Sequence, residues 1–145
     1  MKIVVQRVRE ASVSVDHEIV GSINQGLLLL VCFEQGDDET TVNKAVEKVS
    51  KLRVFDDEAG KMNLDITSVS GEILSVSQFT LSWDGSGGHR PSFEKSMLPQ
   101  EARLKYALFN RDLRSKGIKV AEGKFGAFMK VSLVNDGPVT FNLNF

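Results

Sequence analysis

The sequence predicts an α+β fold, a mostly antiparallel sheet or barrel-like core with two principal helices, in a single domain spanning residues 1–145. Three observations predict it. Both ends of the chain alternate apolar and polar residues with period two, as half-buried strands do. A short apolar run, Leu27–Phe33, reads as buried. Two longer segments switch to helical spacing.

In order, residues 2–8 ("IVVQRV" within them) and 11–15 ("ASVSV") read as strands, and "EIVGSI" follows as an antiparallel partner. Asn24-Gln25-Gly26 supplies turn chemistry before the buried run. In the next segment Val42, Ala45, Val46 and Val49 fall on one helical face, and Asp37 and Asp38 suit the positive end of the helix dipole. "DDEAGKMN" reads as a loop, "EILSVSQFTL" as a strand and "SWDGSGGHRPS" as a glycine-rich loop. The second helix begins near Pro99, which the first turn tolerates, and stops at Gly117. Tyr106, Phe109 and Leu113 form its core face. "GIKVAEG", "FMKVSLV" and "VTFNLNF" are further strands. Between the last two stands Asn135-Asp136-Gly137-Pro138, where Asp-Gly alone would turn the chain and the proline has no N–H for a ladder.

Composition narrows the function. With 41% hydrophobic and 26% charged residues the chain is globular, and its apolar runs are too short to cross a bilayer. The N-terminus opens directly in a strand pattern with no signal peptide, and Cys32 is alone among apolar neighbours, so a buried, unreactive thiol in a cytoplasmic protein is expected. Net charge is −1, but residues 90–130 carry ten Lys/Arg against four Asp/Glu, a local +6. Either a phosphate-facing surface or a solvated helix with its flanks accounts for that.

No familiar catalytic set is present. His17 and His89 are far apart in sequence, in a hairpin and a loop; no His/Cys cluster has metal spacing; no glycine-rich segment matches a phosphate loop. Asp37-Asp38 and Asp56-Asp57 read as a cap and a loop tip. The strand "SVSQFTL" is unusual: period two sets Ser75, Ser77, Phe79 and Leu81 on one face and Val76, Gln78 and Thr80 on the other. Its hydroxyls either bond neighbouring backbone or form a rim for a polar ligand. A Ser or Thr nucleophile needs a base beside it, and no local motif supplies one.

"SVSQFTL", "GGHRPSF" and "FGAFMKVSLVNDGPVT", after an opening "MKIVVQRVREASVSV", resemble the D-aminoacyl-tRNA deacylase family over nearly the whole chain. The resemblance implies a homodimeric editing hydrolase without metal or cofactor, acting on the acceptor end of D-aminoacyl-tRNA and, secondarily, glycyl-tRNA. It makes Ser77, Gln78, Phe79 and Thr80 the catalytic segment and gives Phe125 and Met129 to the adenosine pocket. It implies a cis Gly137-Pro138 bond, anchored by Arg7, that enters the partner subunit's site. There its carbonyl oxygens would clash with the Cβ of an L-residue. The resemblance also implies that the ribose 2′-hydroxyl assists the chemistry, with backbone N–H groups around Phe79 and Thr80 stabilising developing charge. Two competing readings are a hydrolase with Thr80 or Ser77 as covalent nucleophile and a non-catalytic nucleic-acid-binding module.

Overall fold

The computed structural model describes residues Met1–Phe145. Strand β1 (Lys2–Val15) is followed by β2 (Glu18–Ile23), β3 (Gly26–Cys32), helix α1 (Glu39–Ser50), the short β4 (Phe55–Asp56) and β5 (Met62–Leu64), and β6 (Glu72–Ser77). A 3-10 turn at Phe79–Ser82 leads to helix α2 (Pro99–Ser115), β7 (Lys119–Glu122) and β8 (Lys130–Asn144). The main sheet runs β2-β1-β3-β6-β7, with β8 also on β1. Four of the six strand pairings are antiparallel; β3–β6 and β6–β7 are parallel. The α+β, barrel-like expectation holds.

β1 is the organising strand. It is one strand rather than the two expected, because β8 pairs with it from Lys2 to Ser14 and carries it through the exposed bend at Arg9-Glu10. Along its other edge β3 pairs with residues 2–8 and β2 with residues 11–15, so β2 and β3 follow one another end to end. The segment expected as a loop before β6 instead holds the two-stranded β4–β5 pair.

Two packed layers explain the apolar run. Leu27, Leu29 and Val31 of β3 pack with Ile3, Val5 and Ile73 against both helices, through Val42, Ala45, Val46 and Val49 of α1 and Tyr106, Phe109 and Leu113 of α2. On the opposite face Leu28 joins Val8, Ala11, Val13, Ile23, Leu74 and Val76 inside the curled sheet. β3 is thus buried on both sides, as parallel-paired strands usually are.

The helices start and stop where their residues require. The Asp38 carboxylate caps α1, accepting from the Thr41 N–H at 2.8 Å. Asp37 turns away to accept from the Met1 ammonium at 2.7 Å. α2 starts on Pro99 and ends before Gly117, whose φ of +82° favours glycine. A Lys116–Glu47 ion pair ties the two helices at the surface and, with Lys51, holds the Glu47 carboxyl down at about 2.

Two glycines let strands approach closely. A Cβ on Gly21 would stand 2.7 Å from the Glu122 carbonyl oxygen, where β2 folds back against β7 and nearly closes the barrel. At Gly26 it would stand 1.8 Å from the Glu72 carbonyl oxygen at the first rung of the β3–β6 pairing. Gly26→Ala should therefore destabilise the fold by about 3 kcal/mol or more, lowering Tm by roughly 10 °C. Gly88→Ala, where a Cβ meets nothing within 4 Å, should leave Tm unchanged. Thermal unfolding followed by circular dichroism checks both; an unshifted Gly26→Ala midpoint would show that the strands can part without cost.

Candidate active site

β6 ends at Ser77, earlier than its period-two pattern suggests. The Gln78 N–H still donates to the Val31 carbonyl at 2.8 Å, but the chain then tightens into the 3-10 turn. The two-faced arrangement expected from Ser75 to Leu81 therefore holds only as far as Ser77. Ser75 is fully buried, Ser77, Gln78 and Thr80 are half-buried or at the surface of the turn, and the Phe79 ring is 56% exposed. As the opening residues of a 3-10 turn, Phe79 and Thr80 have N–H groups with no acceptor inside the turn; the first internal bond is Leu81 N–H to the Gln78 carbonyl.

These residues wall a cavity of about 600 Å³. Ser77, Gln78 and Phe79 form one side, Phe125 and Met129 the other, and Val31 and Phe33 of the buried strand and its end lie at the base. Phe79 is steadied by Phe93, edge to face, with centroids 5.0 Å apart. Opposite, Gly123 lets the chain pass beneath Met129: a Cβ there would stand 2.6 Å from the Met129 sulfur. Phe93 and the Met97–Leu98 lip of the cavity were not singled out in the sequence, where they resemble any residues of a loop before a helix.

The Gln78 side-chain amide donates to the Thr80 hydroxyl at 2.6 Å. Neither Thr80 nor Ser77 is hydrogen-bonded to a carboxylate, imidazole or amine. His17 and His89 are exposed. No three His, Cys, Asp or Glu side chains gather where they could hold a metal ion.

Gly137-Pro138 lies inside β8, not in a loop between two strands. Thr140 pairs with Gln6 and Asn135 with Val8, so residues 136–139 bulge out opposite Arg7 alone. The buried Arg7 guanidinium fills the space beneath: Nε donates to the Asp136 carbonyl at 3.0 Å, and Nη1 to the Val54 carbonyl at 2.6 Å and to Asp56 at 3.3 Å. Asn135 closes the bulge, its side-chain oxygen accepting from the Val139 N–H at 2.9 Å. The Gly137-Pro138 bond is cis. A Cβ on Gly137, at φ +137°, would meet Val139 Cγ2 at 2.6 Å. The two motif residues are exposed and do not line the cavity of their own chain.

The structure therefore gathers Ser77, Gln78, Phe79, Phe125 and Met129 around one cavity, with Thr80 held at its edge through Gln78. Arg7, Gly137 and Pro138 form a second, separate unit. The basic stretch from 90 to 130 is less free than its charge suggests. Five of its ten cations are paired: Lys95 with Asp84, Arg111 with Asp112, Arg114 with Glu122, Lys116 with Glu47 and Lys119 with Glu72. Arg90, Arg103, Lys105, Lys124 and Lys130 have no ion-pair partner; of these, Lys124 and Lys130 flank the Phe125–Met129 wall.

The family model described as D-Tyr-tRNA(Tyr) deacylase matches residues 4–144. A protein of Exiguobacterium sp. named D-aminoacyl-tRNA deacylase is 54% identical over 143 residues, covering 99% of this chain and 97% of that one. One of the same name from Lactobacillus delbrueckii subsp. bulgaricus is 51% identical over 144 residues, covering 99% of both. Among solved structures, that of a c-Myc DNA Unwinding Element Binding Protein superposes with a TM-score of 0.94 at 40% identity, covering 100% of this chain and 99% of that one. Another, described as a probable eukaryotic D-amino acid tRNA deacylase, shares the fold with a TM-score of 0.84 at 14% identity over 98% of both chains.

The single cysteine offers a check on the packing beneath the cavity. Cys32 is buried with its sulfur 3.5 Å from the Phe79 carbonyl, and burial followed by nearby Glu34 pushes its thiol up to about 11. The native protein should accordingly react with Ellman's reagent only slowly at pH 8, and stoichiometrically once unfolded in guanidinium. Rapid labelling of the folded protein would mean that the turn carrying Phe79 opens readily.

Proposed function

The chain belongs to the D-Tyr-tRNA(Tyr) deacylase family, and from that premise we propose how its cavity and its Gly-Pro bulge divide the work of one reaction. The protein is a hydrolase that cleaves the ester of D-aminoacyl-tRNA, releasing amino acid and tRNA. The terminal adenosine enters between Phe125 and Met129, and the ester lies against the Ser77–Thr80 segment. The N–H groups of Phe79 and Thr80 donate to the oxyanion that forms as water attacks, each such donor being worth about 10²–10³ in rate. The ester is already activated, and the vicinal 2′-hydroxyl of the ribose orients or activates that water, so no protein base is required. The lack of any acid or base bonded to Thr80 or Ser77 supports this over a covalent mechanism.

The observation that carries the rest is the separation of the two units. Gly137 and Pro138 do not line the cavity of their own chain, and this exposed pair is braced by Arg7. In a homodimer each bulge enters the other subunit's cavity, where its carbonyl oxygens leave room for the hydrogen of a D-residue but not for an L-residue's Cβ. Glycine, with no Cβ, is then a secondary substrate. The working protein is cytoplasmic and needs neither metal nor cofactor. Likeness to a protein described as binding a DNA unwinding element favours a second reading, nucleic-acid binding without hydrolysis.

Deacylation of D- and L-aminoacyl-tRNA separates these readings. D-esters should be cleaved at least about 100-fold faster than L-esters, as a clash of about 2.8 kcal/mol provides; a binding module would leave both intact. Thr80→Ala should keep activity within about tenfold of the parent, as expected for lost positioning alone, and isolation of an aminoacyl-Thr80 adduct would refute the mechanism. Exchange of the bulge is tested by mixing two inactive variants. Ser77→Trp fills the cavity and Gly137→Val distorts the bulge, so co-refolding them should restore activity through mixed dimers. Failure to complement would show that cavity and bulge act within one chain.

A further inference from the structure

We propose that Tyr106 is a positioning residue that keeps the two walls of the cavity in register by clamping the point from which both diverge. This rests on the deacylase reading above. The β6–β7 pairing ends at Ser75 opposite Glu122. Beyond that rung the two segments part: one runs through Ser77, the end of β6, to Gln78 and Thr80, and the other leaves β7 through Gly123 to Phe125 and Met129. The Ser75 carbonyl is the fork. It accepts from the Gly123 N–H at 2.9 Å, which starts one wall, and from the Tyr106 hydroxyl at 2.7 Å, which reaches it from α2. A carbonyl has two lone pairs, and here both are used.

The same side chain supports the second wall directly. The Tyr106 ring lies 5.8 Å from the Phe125 ring, tilted by 47°. One residue thus bonds the strand that leads to the Ser77–Thr80 segment and packs the aromatic of the opposite wall. Its own place is well defined: Tyr106 is 3% exposed, set in the main core between Ala102 and Phe109, with the fully buried Asn110 one turn further on. Burial pushes the phenol up to about 12, so it remains a hydrogen-bond donor across the working range of an enzyme assay.

A purely structural tyrosine would make a different prediction from a positioning one. If the hydroxyl only stabilises the fold, Tyr106→Phe lowers Tm and leaves the kinetics alone. If it sets the register of the walls, Tyr106→Phe keeps the Phe125 contact but frees the β6 side, and kcat on D-aminoacyl-tRNA should fall roughly tenfold, about 1.4 kcal/mol, with KM within about twofold. Tyr106→Leu, which also removes the ring, should raise KM in addition. That rise should not add to the one caused by Phe125→Leu, because both variants disturb one contact. The amide shifts of Gly123 and Thr80, read by 15N–1H correlation, should both move in Tyr106→Phe, and they report even if a variant's activity is too low to measure. A Tyr106→Phe enzyme with unchanged kcat, or with a changed KM only, would overturn the inference while the parent's activity still stood. A parent inactive on D-esters would overturn the deacylase reading instead.

Discussion

The buried guanidinium of Arg7 is the interaction on which the two halves of the molecule meet. It sits in the middle of the strand to which the rest of the main sheet is joined, facing residues 136–139 where the β8 ladder breaks. A bulge of four residues leaves carbonyls without ladder partners, which take their hydrogen bonds from side chains or solvent instead. Arg7 answers part of that need, bonding the Asp136 carbonyl from below while Val54 and Asp56 hold the guanidinium from the other side. Because β1 is paired along both edges, the arginine cannot shift without moving the sheet. The bulge is therefore tied to the core through this one side chain.

The cavity is built on the opposite principle. Its walls are the places where regular pairing stops: β6 gives way to a 3-10 turn after Ser77, and β7 gives way to the Gly123–Met129 segment. Ending the ladders releases backbone N–H groups and lets side chains diverge, and the doubly buried β3 beneath supplies a firm base. Apolar side chains dominate the lining, and beside an apolar surface a polar donor at the rim counts for more than it would in bulk solvent.

Much of this was legible in the sequence because local patterns and tertiary packing agree. The helical faces of Val42, Val46 and Val49 and of Tyr106, Phe109 and Leu113 are those buried in the core. Where they diverged, the cause lies far along the chain. β1 is continuous because β8 spans its bend, and β6 stops because its partner β3 ends at Cys32, the Gln78 N–H bond to the Val31 carbonyl being the last tie between them. The Gly-Pro motif stood out locally, but only Arg7, more than a hundred residues earlier, makes it a bulge within one strand. The pairing of the positive charges in residues 90–130 was hidden for the same reason: Glu47, which pairs with Lys116, belongs to a different helix.

β8 leaves one long edge of the sheet without a partner within the chain. A fifteen-residue strand with alternating apolar side chains is the kind of template on which misassembled chains add strand to strand. The bulge divides that edge. Residues 130–135 and 140–144 are each short, the backbone between them leaves the plane of the sheet, and Pro138 offers no N–H to an incoming strand. The bulge that Arg7 braces thereby also interrupts the free edge, and a strand of this length without it would have to protect that edge by other means.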